Sequence, residues 1–346
     1  MTATNAMEMT ARTLVAAGRG ILAADESLPT IEKRFSHIGL VSTESNRRLY
    51  RELLFTTPRL GECISGVILF DETLRQSSAD GTPFVEVLKR QGILPGIKVD
   101  RGAKPLAGFP DEKITEGLDG LRDRLQAYSQ CGAVFTKWRA VIRIAPGIPT
   151  ATGLKSNAHA LARFAALSQE SGLVPIVEPE VLMDGAHSIE QHFATTEAAL
   201  QAVFEALFEH RVKLEAMLLK PNMVLSGATS PNQVSINEAA EQTLCCLLRT
   251  VPAAVPGIVF LSGGQTPMRA TQHLNALNRL AKTPWELSFS FGRALQEPVL
   301  ETWRGNPDAL GRAQEALTHR ARCNRLARFG RYSESAESET RSISLA

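Results

Sequence analysis

The chain has 346 residues, and its 38 basic and 36 acidic side chains leave a formal net charge of only +2. A balance this close to neutral gives no overall electrostatic reason to expect nucleic acid or an anionic membrane surface as a partner. No apolar run is long enough to span a membrane, the N-terminus lacks a signal-peptide pattern, and the five cysteines form no CxxC pair. The sequence therefore predicts a cytoplasmic protein with reduced thiols.

Eight short apolar segments recur in the chain, separated by stretches of helical periodicity. They are, in order, GILAAD, CISGVILFD, GIKVD, AVFTKWRAVI, LVPIVEPE, AMLLKPN, GIVFLSGG and LSFSFGRA. Two of the helical stripes between them run through Ile114, Leu118, Leu121, Leu125 and Tyr128, and through Ile236, Ala240, Leu244, Leu247 and Val251. Continuous apolar strands that alternate with such helices predict a parallel sheet covered on both faces. We expect a single-domain α/β protein, a (β/α)8 TIM barrel over residues 1–332, with a doubly wound open sheet as the alternative.

The C-terminal segment has a different composition. Residues 333–346, SESAESETRSISLA, are rich in serine and glutamate and contain few apolar side chains that could anchor them. A segment of this kind cannot bury enough apolar surface to become ordered by itself. The sequence thus predicts a mobile C-terminal tail after residue 332.

Each segment carries a residue able to bind or react near the carboxyl end of its apolar run. These residues are, in chain order, Asp25, Asp71, Lys98, Lys137, Glu178, Lys220, Ser262 and Arg293. In a parallel barrel the carboxyl ends of all strands meet at one rim, where barrel enzymes place their active sites. The pattern therefore predicts an enzyme with opposed charges in one mouth.

Lys220 directly follows the apolar residues Met217, Leu218 and Leu219. One interpretation is structural, because a lysine at the surface end of a strand can extend its ammonium group into water. The other is chemical: partial burial and a nearby cation such as Lys137 would lower the lysine pKa and make its amine a nucleophile for carbonyl carbons. This stretch alone leaves both interpretations open.

Two acids lie in the segment VEPE. Glu178 and Glu180 are two residues apart, so a strand directs both side chains to the same side. Paired carboxylates allow one to stay protonated as an acid while the other serves as a base. Simple ion pairing with nearby cations is the alternative for either residue.

The last two segments combine glycines with polar groups. Gly263, Gly264 and Gly292 let the backbone approach a ligand, while Ser262 offers a hydroxyl and Arg293 a guanidinium. Barrels often bind phosphate after their seventh and eighth strands. Together these residues predict a phosphate site. The alternative for the glycines is that they are present because the turns require a backbone with positive φ, which is the more common reason for a glycine in a turn.

Metal chemistry is not predicted. The seven histidines form no HExxH motif, and His187 and His192 are five residues apart, a poor helical spacing for shared ligation. We therefore expect catalysis without a metal or other cofactor.

Eight ordered motifs, GILAADES, GVILFDETL, GIKVD, FTKWRAV, VPIVEPE, LLKPNMV, FLSGGQ and FGRAL, resemble those of class I fructose-bisphosphate aldolase over roughly residues 12–332. The resemblance implies a carbon–carbon lyase that reversibly cleaves fructose 1,6-bisphosphate to dihydroxyacetone phosphate and glyceraldehyde 3-phosphate. It also implies a role in glycolysis or gluconeogenesis, a sugar bisphosphate as the small-molecule partner, and a homo-oligomer, commonly a tetramer.

The resemblance also implies roles for individual residues. Lys220 would form the Schiff base, Glu178 would move protons with Glu180 beside it, Asp25 would take the C4 hydroxyl proton, and Lys137 would stabilise charge next to the imine. The residues implied to bind substrate are Ser27, Thr30, Arg34, Lys98, Arg139, Leu261, Ser262, Gly263, Ser290, Gly292 and Arg293.

The chain departs from the family pattern at two places. Pro29 and Thr30 stand where glycine and serine are more common, and the sequence ends in SISLA without a terminal tyrosine, its last tyrosine being Tyr332. Two alternatives stay open: another Schiff-base barrel aldolase, such as a transaldolase or a deoxyribose-phosphate lyase, would need only one phosphate site, and a non-catalytic scaffold would use the charged rim for binding. Intact catalytic residues argue against the scaffold.

Overall fold

A computed structural model describes residues 3–280 and 282–338 of the chain. Its strands are β1 (Gly20–Ala24), β2 (Ile64–Leu69), β3 (Leu94–Lys98), β4 (Ala103–Pro105), β5 (Lys113–Thr115), β6 (Phe135–Ile142), β7 (Val174–Val181), β8 (Leu218–Leu219), β9 (Gly257–Phe260) and β10 (Glu286–Phe291). Its helices are α1 (Ala3–Leu14), α2 (Leu28–His37), α3 (Glu44–Phe55), α4 (Asp71–Leu74), α5 (Phe84–Arg90), α6 (Leu121–Gln130), α7 (Ala151–Glu170), α8 (Ile189–Glu209), α9 (Ile236–Thr250), α10 (Pro267–Leu280), α11 (Arg293–Trp303) and α12 (Leu310–Arg328).

Eight of these strands form a closed barrel in the order β1-β2-β3-β6-β7-β8-β9-β10, with β10 pairing back to β1. All eight pairings are parallel. The predicted TIM barrel is confirmed, and the open-sheet alternative is wrong. Strands β4 and β5 form a separate antiparallel hairpin that the sequence pattern did not indicate.

One of the two predicted helical stripes is partly wrong. Ile114 lies in β5, and α6 begins only at Leu121. The cause is local backbone geometry, because Gly117 and Gly120 have φ values of +127° and +64°, which interrupt a right-handed helix. The other stripe, from Ile236, coincides with α9.

The lower part of the barrel is filled by apolar side chains. Phe135 occupies space that Gly66 and Gly96 leave open, since a Cβ added to Gly96 would lie 2.2 Å from its ring. The inward-facing core also includes Ile21, Ala23, Ile68, Val174, Ile176, Leu218 and Val259, packed with Met7, Ala11 and Leu14 of α1 and with Val15 just after it. Helix α1 therefore closes the amino-terminal end of the barrel, and access to its interior is left at the carboxyl ends of the strands.

The first residues of the predicted mobile tail contact the barrel domain. Glu334–Glu337 form a short 3₁₀ helix, and Ala336 is buried. Glu337 pairs with Arg320 of α12 and accepts a hydrogen bond of 2.5 Å from the Tyr332 hydroxyl. Residues 339–346 of the predicted tail lie outside the described residues. Within the described ranges, no helix has the length and apolar character needed to cross a bilayer.

Buried His192 makes the stability of the barrel depend on pH. Its Nδ1 accepts a 2.8 Å hydrogen bond from the Leu225 amide, so the ring must be neutral at that atom. Burial lowers the pKa of His192 to about 4. An unfolded histidine has a pKa of about 6.5, so between about pH 6.5 and 4 the unfolded chain binds a proton that the folded chain does not.

We therefore expect the free energy of unfolding to fall as the pH is lowered through this window, by up to about 3 kcal/mol from His192. Urea unfolding at about pH 7 and about pH 5 measures the change. In His192→Gln the unfolding free energy should be lower at neutral pH but should change less between the two pH values. An equal pH dependence in both proteins would contradict the assignment to His192.

Candidate active site

Four barrel strands follow one pattern: the first inward-facing residues of each strand are apolar, and the next inward-facing position carries a charged side chain. The inward rows are Ile21, Ala23 and Asp25; Phe135 and Lys137; Val174, Ile176 and Glu178; and Leu218 and Lys220. Because side chains alternate along a strand, the position two residues beyond an interior apolar residue faces the interior again. The strands thus deliver two carboxyl and two amino groups to one place above the apolar core.

These four side chains form a continuous chain of ion pairs. Lys137 Nζ lies 2.8 Å from Asp25 Oδ2 and 3.0 Å from Glu178 Oε2, and Lys220 Nζ lies 3.2 Å from Glu178 Oε1. All four residues are at least nine-tenths buried. The structure thus brings Asp25, Lys137, Glu178 and Lys220 together at one rim.

Three of the four groups are held in their charged form. Burial alone would raise the pKa of Asp25 and of Glu178, but the ammonium groups of Lys137 and Lys220 outweigh burial and lower both pKa values. For Lys137, burial alone would lower the pKa, but the carboxylates of Asp25 and Glu178 outweigh it and raise the pKa. Glu178 is therefore a carboxylate before substrate binds, and it is not the protonated member that a VEPE pair would allow.

Lys220 behaves in the opposite way to its neighbour. Burial, helped by the charge of Lys137, outweighs the attraction to Glu178 and lowers the pKa of Lys220. Only 4% of its side-chain surface is exposed, so the interpretation that it extends into water is wrong. Of the two lysines that contact Glu178, Lys220 is thus the one whose neutral, nucleophilic amine is favoured.

Two further ion pairs lie beside this centre. Arg139 Nε donates to Glu180 Oε2, so Glu180 is engaged in the ion pairing that was its alternative interpretation. Lys98 donates to Asp100, whose other carboxylate oxygen accepts a 3.3 Å hydrogen bond from the Arg139 amide. Sequence reasoning missed Asp100, although it is the last residue of the motif GIKVD.

The predicted residues around α2 contact a second buried carboxylate. The hydroxyls of Ser27 and Thr30 lie 3.0 Å apart at the start of the helix. Arg34 pairs with Glu26, which also lies 2.6 Å from Arg51 and accepts a 2.8 Å hydrogen bond from Gln296. These guanidinium groups outweigh burial and lower the pKa of Glu26. The sequence analysis missed Glu26 because it assigned the polar end of the motif GILAADES to the neighbouring Asp25.

The segments after β9 and β10 form an opening with polar groups. Gly263 and Gly264 have φ values of +56° and +88°, and a Cβ at Gly264 would lie 3.2 Å from Arg293 Nη2. Arg293 begins α11 and is exposed, and no carboxylate among the described residues forms an ion pair with it. The helix N-terminus and a free guanidinium together can bind an anion such as phosphate.

Other predicted residues border the same opening. Ser262 and Leu261 are buried after β9, and the Leu261 amide donates a 3.1 Å hydrogen bond to the Pro221 carbonyl. Phe289 and Phe291 belong to the core between barrel and helices, so alternation turns Ser290 toward the barrel interior. A Cβ at Gly292 would lie 3.9 Å from Arg34 Nη2, which brings the α2 and α11 sides of the rim together.

One predicted rim residue does not join the centre. Asp71 begins α4 and forms an exposed ion pair of 3.2 Å with Arg75. The short helix redirects the chain immediately after β2, so the polar residue there faces the surface. Asp71 does follow β2, as the sequence pattern predicted, but its side chain pairs with Arg75 and not with the residues of the barrel mouth.

Known proteins of one family are similar to this chain over nearly its whole length. The family model for fructose-bisphosphate aldolase class-I matches residues 6–346. A probable fructose-bisphosphate aldolase class 1 of Xanthomonas axonopodis pv. citri is 55% identical over 324 residues, covering 93% of this chain and 97% of the relative. The cytosolic fructose-bisphosphate aldolase 6 of Arabidopsis thaliana is 55% identical over 316 residues, covering 91% of this chain and 88% of that protein.

A solved structure gives the same result. The fructose-bisphosphate aldolase of Plasmodium falciparum, determined in complex with TRAP and a small-molecule inhibitor, superposes with a TM-score of 0.95 at 48% identity and covers 96% of each chain. The predicted resemblance is therefore confirmed by sequence and by structure. The chain belongs to the class I fructose-bisphosphate aldolase family, whose members are lyases of EC 4.1.2.13.

Proposed function

We propose that the barrel mouth performs the family's reaction through a Schiff base between Lys220 and the C2 ketone of fructose 1,6-bisphosphate. The observation that carries the proposal is the buried chain from Asp25 through Lys137 and Glu178 to Lys220. It contains one amine whose pKa is lowered, which is the property a carbonyl nucleophile needs. The adjacent groups stay charged and can move protons or stabilise charge.

Glu178 is suited to move a proton in both directions. Its Oε1 lies 3.2 Å from Lys220 Nζ, within reach of the ammonium proton. As a carboxylate it first takes that proton and frees the amine, which adds to the ketone. It then donates the same proton to the hydroxyl of the carbinolamine, so that water leaves and the iminium forms. One carboxyl group thereby serves as base and then as acid.

Asp25 and Lys137 are suited to the step that breaks the carbon–carbon bond. Asp25 is held as a carboxylate and takes the C4 hydroxyl proton, while the C3–C4 electron pair moves into the iminium and glyceraldehyde 3-phosphate leaves. Lys137, 2.8 Å from Asp25, keeps the base ionised and stabilises negative charge nearby. The remaining enamine is protonated at C3 and hydrolysed to dihydroxyacetone phosphate.

The two phosphates would bind to two different groups of residues around this centre. We place the 1-phosphate at the opening formed by Ser262, Gly263, Gly292 and Arg293, with Leu261 and Ser290 bordering it. We place the 6-phosphate near Ser27, Thr30 and Lys98, with Arg34 and Arg139 shaping the mouth. Two groups of candidate phosphate ligands, one after β9 and β10 and one at β3 and α2, support a bisphosphate over a monophosphate substrate.

A direct assay tests the proposed chemistry. The purified chain should cleave fructose 1,6-bisphosphate with and without EDTA, as measured by coupling glyceraldehyde 3-phosphate formation to NADH oxidation. Fructose 1-phosphate and sedoheptulose 1,7-bisphosphate serve as comparison substrates. Cleavage that EDTA abolishes would point to a metal-dependent mechanism and contradict the Schiff base.

Arg293→Ala is expected to lower kcat/KM for fructose 1,6-bisphosphate by about tenfold or more, because a charge-assisted contact contributes roughly 1.5–3 kcal/mol. Steady-state kinetics measure the change, and we expect a smaller loss for a substrate that lacks the 1-phosphate. Arg312→Ala, at an exposed position on α12, is the matched control. Unchanged kinetics for Arg293→Ala would remove this arginine from the phosphate site.

We also propose that the enzyme acts in the cytoplasm, in glycolysis or gluconeogenesis, as a homotetramer. The cytosolic name of the Arabidopsis relative supports the first point, and the family resemblance supports the other two. Light scattering coupled to size-exclusion chromatography measures the assembly. A monomer at micromolar concentration would contradict the tetramer.

A further inference from the structure

Three side chains with metal-ligand atoms meet where the C-terminal segment crosses α12. His319 and Cys323 are four residues apart on α12, so they lie on one face of the helix. Glu337 reaches them from the 3₁₀ helix Glu334–Glu337. The His319 Nε2, the Cys323 Sγ and a Glu337 carboxylate oxygen all lie within 4.8 Å of one another.

Two of the three distances between the ligand atoms match the edges of a metal tetrahedron, and the third, from Cys323 Sγ to Glu337, is at most 4.8 Å. His319 Nε2 lies 3.4 Å from Glu337 Oε2 and 3.7 Å from Cys323 Sγ. With typical Zn²⁺ bond lengths of about 2.0–2.3 Å, tetrahedral ligand atoms are roughly 3.3–3.7 Å apart. A single ion could therefore contact all three groups after small side-chain movements.

The surroundings of Glu337 orient it for this role. Arg320 contacts both carboxylate oxygens, and the Tyr332 hydroxyl donates to Oε1 at 2.5 Å. Hydrogen bonds of this kind hold carboxylate ligands in position around metals. The ion pair with Arg320 thus presents Glu337 as a carboxylate, the form that binds a metal.

The donor set selects the class of metal. One imidazole nitrogen, one thiolate sulfur and one carboxylate oxygen suit Zn²⁺, whereas Mg²⁺ and Ca²⁺ prefer oxygen ligands alone. Cys323 is buried, with 1% of its surface exposed, which shields a metal-bound thiolate from oxidation. Three protein ligands leave the fourth position to a water molecule.

We propose that His319, Cys323 and Glu337 bind one Zn²⁺ ion and that this ion fastens residues 333–338 to α12. On binding, the Cys323 thiol releases its proton to solvent, the Sγ–Zn bond forms, and Glu337 Oε2 turns from Arg320 to the metal while Oε1 keeps its hydrogen bonds. The site is separate from the residues of the barrel mouth. The ion has no part in cleavage of the sugar.

Cobalt provides a spectroscopic test on the full-length protein. The protein is stripped with EDTA, dialysed and titrated with Co²⁺, which reports a thiolate ligand by a charge-transfer band and a tetrahedral site by its visible bands. We expect one equivalent of Co²⁺ to bind and Zn²⁺ to displace it. Cys323→Ser should lose the charge-transfer band and weaken binding by about 100-fold or more, whereas Cys245→Ser, at an exposed cysteine of α9, should not.

Two further variants keep the test decisive if Cys323→Ser does not fold. His319→Gln and Glu337→Gln should keep the charge-transfer band at saturation but need about tenfold or more Co²⁺ to reach it. Zn²⁺ should also slow hydrogen exchange of the amides at 334–337 in the unmodified protein and leave fructose 1,6-bisphosphate cleavage unchanged. The absence of a stoichiometric Co²⁺ signal, or an equal signal in Cys323→Ser, would overturn the proposal.

Discussion

Lys220→Met is expected to reduce cleavage of fructose 1,6-bisphosphate by at least about 10⁴-fold, because it removes the amine that we propose forms the covalent bond with the ketone. The protein should still fold. Methionine fills a similar volume, and Glu178 keeps its 3.0 Å contact with Lys137, so no carboxylate is left without a cation. Near-normal circular dichroism and thermal unfolding, together with Lys155→Met at an exposed position of α7 as a control, separate loss of chemistry from loss of structure.

Borohydride trapping identifies the reacting residue. Reduction in the presence of dihydroxyacetone phosphate should fix the substrate's carbon skeleton on Lys220. Trypsin does not cut before Pro221, so the expected tryptic peptide spans residues 214–249, in which Lys220 is the single lysine. A mass increase on this peptide therefore assigns the label without further sequencing. Label on any other peptide would disprove the assignment of the Schiff base.

Lys137→Met is expected to lower both stability and turnover. The substitution removes the cation between Asp25 and Glu178, and leaving a buried charge without its partner costs about 3–5 kcal/mol. Loss of one preorganised charge near the reacting atoms typically lowers kcat by about 10²–10³. Urea unfolding and steady-state kinetics measure the two effects. Lys155→Met should change neither.

The same substitution makes a prediction about its neighbour. The charge of Lys137 lowers the pKa of Lys220, whereas that of Glu178 raises it. Lys137→Met should therefore raise the pKa of Lys220, and Glu178→Gln should lower it. Competitive labelling with acetic anhydride across a pH series, read out on peptide 214–249, reports this pKa directly. Shifts of the same sign in both variants would contradict the electrostatic account.

Much of this fold could be predicted because strand and helix alternate with a clear period. The eight apolar segments all coincide with barrel strands, and the α9 stripe gave its helix correctly. The β4–β5 hairpin was missed because its two three-residue strands are too short to show a period. The start of α6 was predicted too early, because the spacing of apolar residues does not reveal the positive φ values of Gly117 and Gly120.

The site was predictable to the extent that its residues lie where apolar strand segments turn polar. Asp25 and Lys220 directly follow β1 and β8, Lys137 and Glu178 lie within β6 and β7, and the rim of a parallel barrel brings such positions together. The helix residues that contact site carboxylates could not be predicted from strand ends. Arg51 of α3 and Gln296 of α11, for example, reach Glu26 only through tertiary packing. The charge state of each group was also inaccessible, because it depends on distances of 2.8–3.2 Å that no spacing in the sequence encodes.

The rows of inward-facing residues also determine which register of neighbouring strands is favoured during folding. Strands β6 and β7 pair over eight positions, from Phe135 with Val174 to Ile142 with Val181. If β7 slipped by one residue, Glu178 and Glu180 would face the apolar layer between barrel and helices, away from Lys137 and Arg139. Carboxylates buried there without cations would cost several kcal/mol, so misaligned barrels are strongly disfavoured. The charges used for catalysis thus also help this chain select a single alignment of its strands.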